Sequence, residues 1–113
     1  MANVFVSKKV DLTTTDVTTL YTVPSATTAI VKSILVSDDS GSGSTITIQI
    51  VTSLDAIFSV AHVKTIAANT PTEILTHPLV VETGEIIQVT AGNANRLHVI
   101  LSAMQVTPRT VVS

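Results

Sequence analysis

The stretch from Thr18 to Ser37, TTLYTVPSATTAIVKSILVS, constrains the fold more than any other part of the sequence. Two segments rich in Thr, Val and Ile flank Pro24. β-Branched residues lose side-chain freedom in a helix and pack well on a pleated sheet. Pro24 cannot donate a ladder hydrogen bond, and it biases Val23 towards extended backbone. The stretch therefore predicts a strand, a corner at Pro24 and a second, longer strand.

The longer strand is predicted over Ala29 to Asp38. Ile30, Ile34 and Val36 share one parity, and Val31 and Leu35 share the other, so that apolar side chains cover both faces. This pattern is typical of a central strand in a packed sheet. The polar residues that follow Asp38 predict a turn, and the clean alternation after it predicts that Thr27 to Val51 forms a hairpin.

Similar patterns predict the remaining strands. Asn3 to Val10 is expected to be an edge strand, because exposed lysines protect open sheet edges. Ala56 to Ile66 fits both the helical and the strand period, and its β-branched residues favour a strand. Shorter strands are expected over Val17–Val23, Glu73–Thr76, Leu79–Val81 and Glu85–Ala91, and Arg96–Val106 is expected to be the last long strand. About eight strands predict a single antiparallel β-sandwich over residues 1–113, either jelly-roll-like or immunoglobulin-like, with residues 1–16 and 107–113 as contact arms.

The amino-acid composition of the chain limits the classes of molecule that it can bind. The 113 residues are 45% hydrophobic and only 12% charged, with a formal net charge of −2. A chain of this length can bury one core. Because the chain provides no basic field, we expect neither a nucleic-acid nor a membrane partner. The start of the chain, MANVFVSKKVDL, lacks the pattern of a standard export signal. A weakly charged, Thr-rich surface favours a protein that functions in an assembly.

Metal and cofactor sites are not expected. The chain has no cysteine, and His62, His77 and His98 lie far apart without carboxylates at ligand spacing. Asp38 and Asp39 precede SGSGS and offer oxygen ligands for calcium, but the order of residues in calcium loops is missing. A solvated hairpin loop is the favoured interpretation.

Catalysis is not expected either. Glu82 and Glu85 are the candidate paired carboxylates, yet both lie in one turn, and the sequence has little aromatic material with which to line a sugar site. Phe5, Tyr21 and Phe58 are scattered, which favours core or interface packing over base or sugar stacking. The numerous Ser and Thr hydroxyls lack an activating motif. We therefore predict that the protein is not an enzyme and uses no cofactor.

Interface residues are predicted at the two ends of the chain. The N-terminal strand can add to another sheet edge, and the tail would otherwise expose apolar side chains. The alternative is that both ends fray, as chain termini commonly do. The predicted interface residues are Val4, Phe5, Val6, Lys8, Lys9, Arg109, Val111 and Val112.

Several segments together resemble small virion structural proteins of tailed bacteriophages. The opening over Thr19–Pro24 (TLYTVP) and Thr28–Ile34 (TAIVKSI) is similar to the opening of that family, which precedes a Ser/Gly/Asn turn. The likeness continues through Asp38–Thr45 and Pro71–Glu85 (PTEILTHPLVVETGE). It covers most of the chain from Val17 to about Leu101.

The chain departs from this pattern at two positions. Ser25 stands where a Gly often follows the proline, and Asp38 stands where an Asn is common. The resemblance implies a β-sandwich building block that is present in many copies on a phage particle, and it does not imply an enzyme.

The leading hypothesis is a capsid decoration, or cement, protein that is made in the host cytoplasm and binds the major capsid protein. We expect a homo-oligomer, with a trimer favoured. The alternative is a neck, tail or fibre module with a receptor or carbohydrate contact.

Overall fold

The structure, a computed structural model, describes residues 2–38 and 40–107 of the chain. This part folds into strands without helices, so none of its elements is a helix long and apolar enough to cross a membrane. The prediction of an all-β fold is confirmed. The nine strands are β1 (Ala2–Leu12), β2 (Thr18–Thr22), β3 (Thr28–Asp38), β4 (Ser44–Val51), β5 (Ile57–Ile66), β6 (Pro71–Glu73), β7 (Leu79–Val81), β8 (Ile86–Ala91) and β9 (Leu97–Thr107).

Two antiparallel sheets pack face to face. Sheet A has the order β1-β9-β3-β6, with β7 also paired to β3, and sheet B has the order β2-β8-β4-β5. The two short strands β6 and β7 pair with successive parts of β3 and act as one interrupted strand. The chain therefore forms nested antiparallel pairs: β1 with β9, β2 with β8, β3 with β6 and β7, and β4 with β5. A long hairpin of this kind that is rolled into two sheets is a jelly roll. Of the two predicted sandwich types, the observed order is the jelly roll.

The core lies between the sheets and contains one parity of residues from each long strand. On β9, Leu97, Val99, Leu101 and Ala103 are buried, while the residues between them face outward. Strands β3, β4 and β8 show the same alternation. Burial of each large aliphatic side chain contributes about 1.5–3 kcal/mol. Apolar burial on both sheets therefore holds the sandwich together.

A β-bulge on β3 changes which of its side chains face the core. The pairing with β9 shifts between Val31 and Ser33, so Val31 and Ile34 both point inward although their parities differ. The sequence pattern placed Ile30 on the same face as Ile34 and Val36, and this grouping was wrong, because Ile30 faces outward and is half-buried. The carboxylate of Glu73 accepts hydrogen bonds from the Ser33 hydroxyl and from the Ile34 amide (2.9 Å), and so satisfies backbone that the bulge leaves unpaired.

The predicted hairpin over Thr27 to Val51 is also wrong. Strand β3 belongs to sheet A and β4 belongs to sheet B, so the loop between them crosses from one sheet to the other. The buried carboxylate of Asp38 shapes this crossing, because it accepts hydrogen bonds from the Ser40 amide (2.7 Å), the Ser40 hydroxyl (2.6 Å) and the Gly43 amide. The hairpin lies one strand later, between β4 and β5.

The corner at Pro24 is confirmed, and a neighbouring turn fixes it. Strand β2 ends at Thr22, and β3 begins at Thr28 in the other sheet. The hydroxyl of Thr83 accepts a hydrogen bond from the Thr27 amide (3.0 Å) and donates one to the Thr27 carbonyl (2.6 Å). A single side chain therefore satisfies both backbone groups of Thr27 where the chain leaves the corner.

Strand β5 confirms the strand interpretation of Ala56 to Ile66, with bounds of Ile57–Ile66. Its pairing with β4 shifts twice, and Val63 has a φ of 47°, an uncommon conformation for a β-branched residue. The Val63 amide donates to the Thr47 hydroxyl (3.0 Å). The β5 edge of sheet B is thus irregular.

Candidate interaction surface

A row of large apolar side chains crosses the outer face of sheet A. The register aligns four of them on neighbouring strands: Phe5 of β1, Met104 of β9, Ile30 of β3 and Val80 of β7. Paired residues in an antiparallel sheet project to the same face. Because Ala103, next to Met104, is buried in the core, this row points away from the core.

A polar row and a second apolar row lie beside the first. Ser7, Ser102 and Ser33 are aligned across β1, β9 and β3. Beyond the serines, the register aligns Lys9, Ile100, Leu35 and Glu73 across β1, β9, β3 and β6. The apolar pair Ile100 and Leu35 thus occupies the centre of the sheet, and charged side chains flank it.

We call Phe5, Ile30, Leu35, Val80, Ile100 and Met104 the apolar outer face. Phe5 is 77% exposed and Val80 is 59% exposed, while the other four are half-buried by their neighbours. Contiguous exposed apolar side chains with a polar surround mark binding surfaces, because water leaves them at little cost. The apolar outer face is therefore the candidate site for a protein partner.

Strand β1 carries all five predicted N-terminal interface residues but divides them between two faces. Phe5 and Lys9 lie on the outer face with the apolar row. Val6 packs partly against the core, and Val4 and Lys8 share its parity. The three remaining predicted residues, Arg109, Val111 and Val112, lie outside the described residues. Since Leu12 is buried and the whole of β1 pairs with β9, this segment is an integral strand of sheet A.

Another apolar cluster lies at the turn between β4 and β5. Leu54 is 89% exposed, and Ile57 and Phe58 at the start of β5 are also exposed. The turn itself is ordered by hydrogen bonds from the Thr52 amide to the Ala56 carbonyl (2.8 Å) and from the Ala56 amide to the Thr52 hydroxyl (3.1 Å). This cluster belongs to sheet B and is smaller than the apolar outer face.

A shallow groove of about 320 Å³ runs along β1 and β9. Nε2 of His98 lies 3.2 Å from Oδ1 of Asp11 on its rim. Both side chains are well exposed, so the pair contributes little to stability. The groove is lined by Lys9, Val10, Asp11, His98, Val99 and Ile100, among which there is no hydroxyl or thiol nucleophile. The groove therefore borders the apolar outer face, with which it shares Ile100.

The other candidate chemical groups have structural roles. Tyr21 is buried, and its hydroxyl accepts a hydrogen bond from Nε2 of Gln105 (2.7 Å), so its ring is not available to stack on a sugar. Oε1 of Glu85 accepts a hydrogen bond from the Glu82 amide (2.7 Å) within their own turn. Within residues 2–38 and 40–107, no three His, Asp or Glu side chains form a group that could hold a metal ion.

The oxygens of Asp38 accept protein hydrogen bonds in this arrangement, and Asp39, the other carboxylate considered for calcium, lies outside the described residues. The side-chain hydrogen bond from Ser40 is the main cause that lowers the pKa of Asp38; the Ser40 and Gly43 amides and the charge of Arg96 act in the same direction, and burial opposes them. Arg96 also donates to the Gly43 carbonyl (3.0 Å), which fixes the same loop.

The lowered pKa predicts how acid affects stability. The folded state holds the proton of Asp38 less tightly than the unfolded state, so this group stabilises the fold above its ordinary pKa, and the stabilisation is lost as the pH falls through the folded pKa. We expect Asp38→Asn, whose amide group faces amide donors, to lower the free energy of unfolding near pH 7 and to reduce its loss on acidification to about pH 2. Urea unfolding at both pH values measures this, with the exposed Asp16→Asn as the control. Equal acid sensitivity of Asp38→Asn and the wild-type chain would contradict the assignment.

Comparison with known proteins adds no family assignment. No family model matches the chain, and no curated protein matches its sequence.

Most of the apolar outer face was not among the predicted interface residues. Only Phe5 was named; the others depend on the strand register and on the bulge in β3. One signal was present in the sequence. Strand β9 is apolar on both parities, with Ile100 and Met104 between the core residues. Each sheet of a sandwich packs against the core on one face only. Apolar side chains on the other face must therefore be exposed to solvent or bound by a partner.

Proposed function

We propose that the protein is a non-enzymatic virion structural protein of a tailed bacteriophage, and that it decorates the capsid by binding the major capsid protein. The resemblance of Thr19–Pro24 and Thr28–Ile34 to virion proteins supports this proposal. The jelly roll supports it by analogy, because viral capsid domains, among others, use this architecture.

The observation that carries the proposal is the apolar outer face of sheet A. Phe5, Met104, Ile30 and Val80 form one line across four strands, and none of them contributes to the buried core. Side chains that neither fold the protein nor face a catalytic group are best explained as contacts. A sheet face of this kind suits a broad, shallow partner such as the surface of a shell.

The arrangement of side chains on the apolar outer face predicts which groups the binding surface of the partner would carry. The partner would offer apolar side chains opposite the two apolar rows and hydrogen-bonding groups opposite Ser7 and Ser102. Near Lys9, which donates to Ser7 Oγ (3.0 Å), an acidic group on the partner would add attraction. Glu73 would contribute less, because its carboxylate already bonds to the bulge of β3.

Multivalency supplies the mechanism of stabilisation. A particle presents the same site many times, and a homo-oligomer of the decoration protein offers the same face several times. Once one copy is bound, the others bind at a high effective concentration, which turns weak contacts into lasting ones. Neighbouring capsid subunits are thereby bridged.

Copy number on purified particles tests the proposal. Quantitative gel densitometry or mass spectrometry should find hundreds of copies per particle. When particles are taken apart, these copies should separate together with the shell. About a dozen copies would instead favour the neck, tail or fibre role, and absence from the particle would contradict both.

A further inference from the structure

Strand β1 offers a long and regular open edge. All eleven of its residues pair with β9 without a register shift, and no described strand pairs with its other side. Both edge strands of sheet B are less regular: β2 has one register shift in its pairing with β8, and β5 has two shifts and the left-handed backbone of Val63. Irregular edges resist strand addition, whereas a straight edge with alternate unpaired N–H and C=O groups is a template for it.

We infer that β1 pairs antiparallel with β1 of a second copy, about a twofold axis midway between Ser7 and its own copy, so that the two A sheets become one continuous sheet. An antiparallel, isologous pair of this kind has its axis perpendicular to the sheet, which keeps both outer faces on the same side. One residue of β1 then faces its own copy across the axis, and the choice of that residue sets the register.

Charge and length select Ser7 among the available centres. An axis at Lys8 or at Lys9 would place identical charges directly opposite each other, which is destabilising. Centres nearer either end of the strand shorten the paired segment. Only the centre at Ser7 pairs all eleven positions of β1.

This register also covers the two most exposed apolar side chains of the strand. Phe5, 77% exposed, lies opposite Lys9 of the second copy, whose aliphatic stem and ammonium group can pack on the ring. Val4, 52% exposed, lies opposite Val10. Asn3 lies opposite Asp11, whose carboxylate can accept a hydrogen bond from the amide. The inference rests on this complementarity of β1 with itself and not on the virion assignment.

The absence of cysteine from the chain allows a clean crosslinking test. In the Ser7→Cys variant of the full chain, the two introduced residues face each other at the axis, with Cα atoms about 4.5–5.5 Å apart, which suits a disulfide. Mild oxidation should convert most of this variant into a covalent dimer. Asn3→Cys is the control, because it is also exposed, uncharged and on the same face, but its two copies would lie about 26 Å apart.

Two results would overturn the inference. The first is equal crosslinking of Asn3→Cys and Ser7→Cys, which would indicate random collision. The second comes from the mass of the wild-type protein by light scattering, which requires no variant. The expected mass is that of two chains; a monomer at high concentration, or the trimer that the sequence favoured, would contradict pairing through β1. Copy number on particles is a separate measurement, so the virion proposal can fail while this inference holds.

Discussion

Leu101→Ala should lower the free energy of unfolding by about 2–5 kcal/mol, the range for removal of a fully buried leucine. Leu101 lies in β9, which pairs with both β1 and β3, and its side chain has no exposed surface. The substitution loses the transfer free energy of three carbon atoms, a methine and two methyl groups, and leaves a cavity that the two packed sheets cannot fully close. Urea unfolding followed by circular dichroism measures the change.

The matched control is Ile100→Ala, one residue earlier on the same strand. Its side chain is half-buried on the apolar outer face instead of in the core. We expect a loss of about 1 kcal/mol, because part of the side chain is already in water. Equal losses for the two variants would mean that the face we assign to the core is wrong.

Met104→Glu should reduce the apparent affinity for particles at least about 100-fold while the protein stays folded. Met104 lies at the middle of the apolar row between Phe5 and Ile30. A carboxylate at this position remains hydrated in the free protein. Binding to the particle would bury it without an opposite charge or a hydrogen-bond donor, at a cost of several kcal/mol. Cosedimentation of the variant with particles that lack the protein measures the affinity.

Thr90→Glu provides the control for charge. It adds the same side chain to β8, where Thr90 lies between the buried Val89 and Ala91 and faces outward from sheet B. We expect this variant to bind as the wild-type protein does. If Thr90→Glu were the one that failed to bind, sheet B would be the contact face.

Periodicity was sufficient to predict the strands but not their pairing. The alternation over Thr45 to Val51 located β4, and Pro24 located the corner, because both are local effects of side-chain period and fixed dihedral angles. Strand β4 lies between β5 and β8, and β8 follows some forty residues later, a choice that no local pattern encodes. Sequential strands usually pair, which made the β3–β4 hairpin the natural prediction.

The site was harder to predict than the fold for the same reason. Phe5 could be named because it lies in a strand with lysines that indicate an open edge. Ile30 could not be placed, since a single extra residue in the bulge reverses which face a side chain occupies. Val80 joins the row only because β7 pairs with β3, and its three-residue strand carries almost no periodic signal.

The most direct test of the account is a cryo-electron microscopy reconstruction of particles that carry this protein. We predict hundreds of jelly rolls on the capsid, each with Phe5, Ile30 and Met104 of sheet A against a shell subunit. A shell without this protein, or jelly rolls that meet the shell through sheet B with the apolar outer face open to solvent, would contradict it.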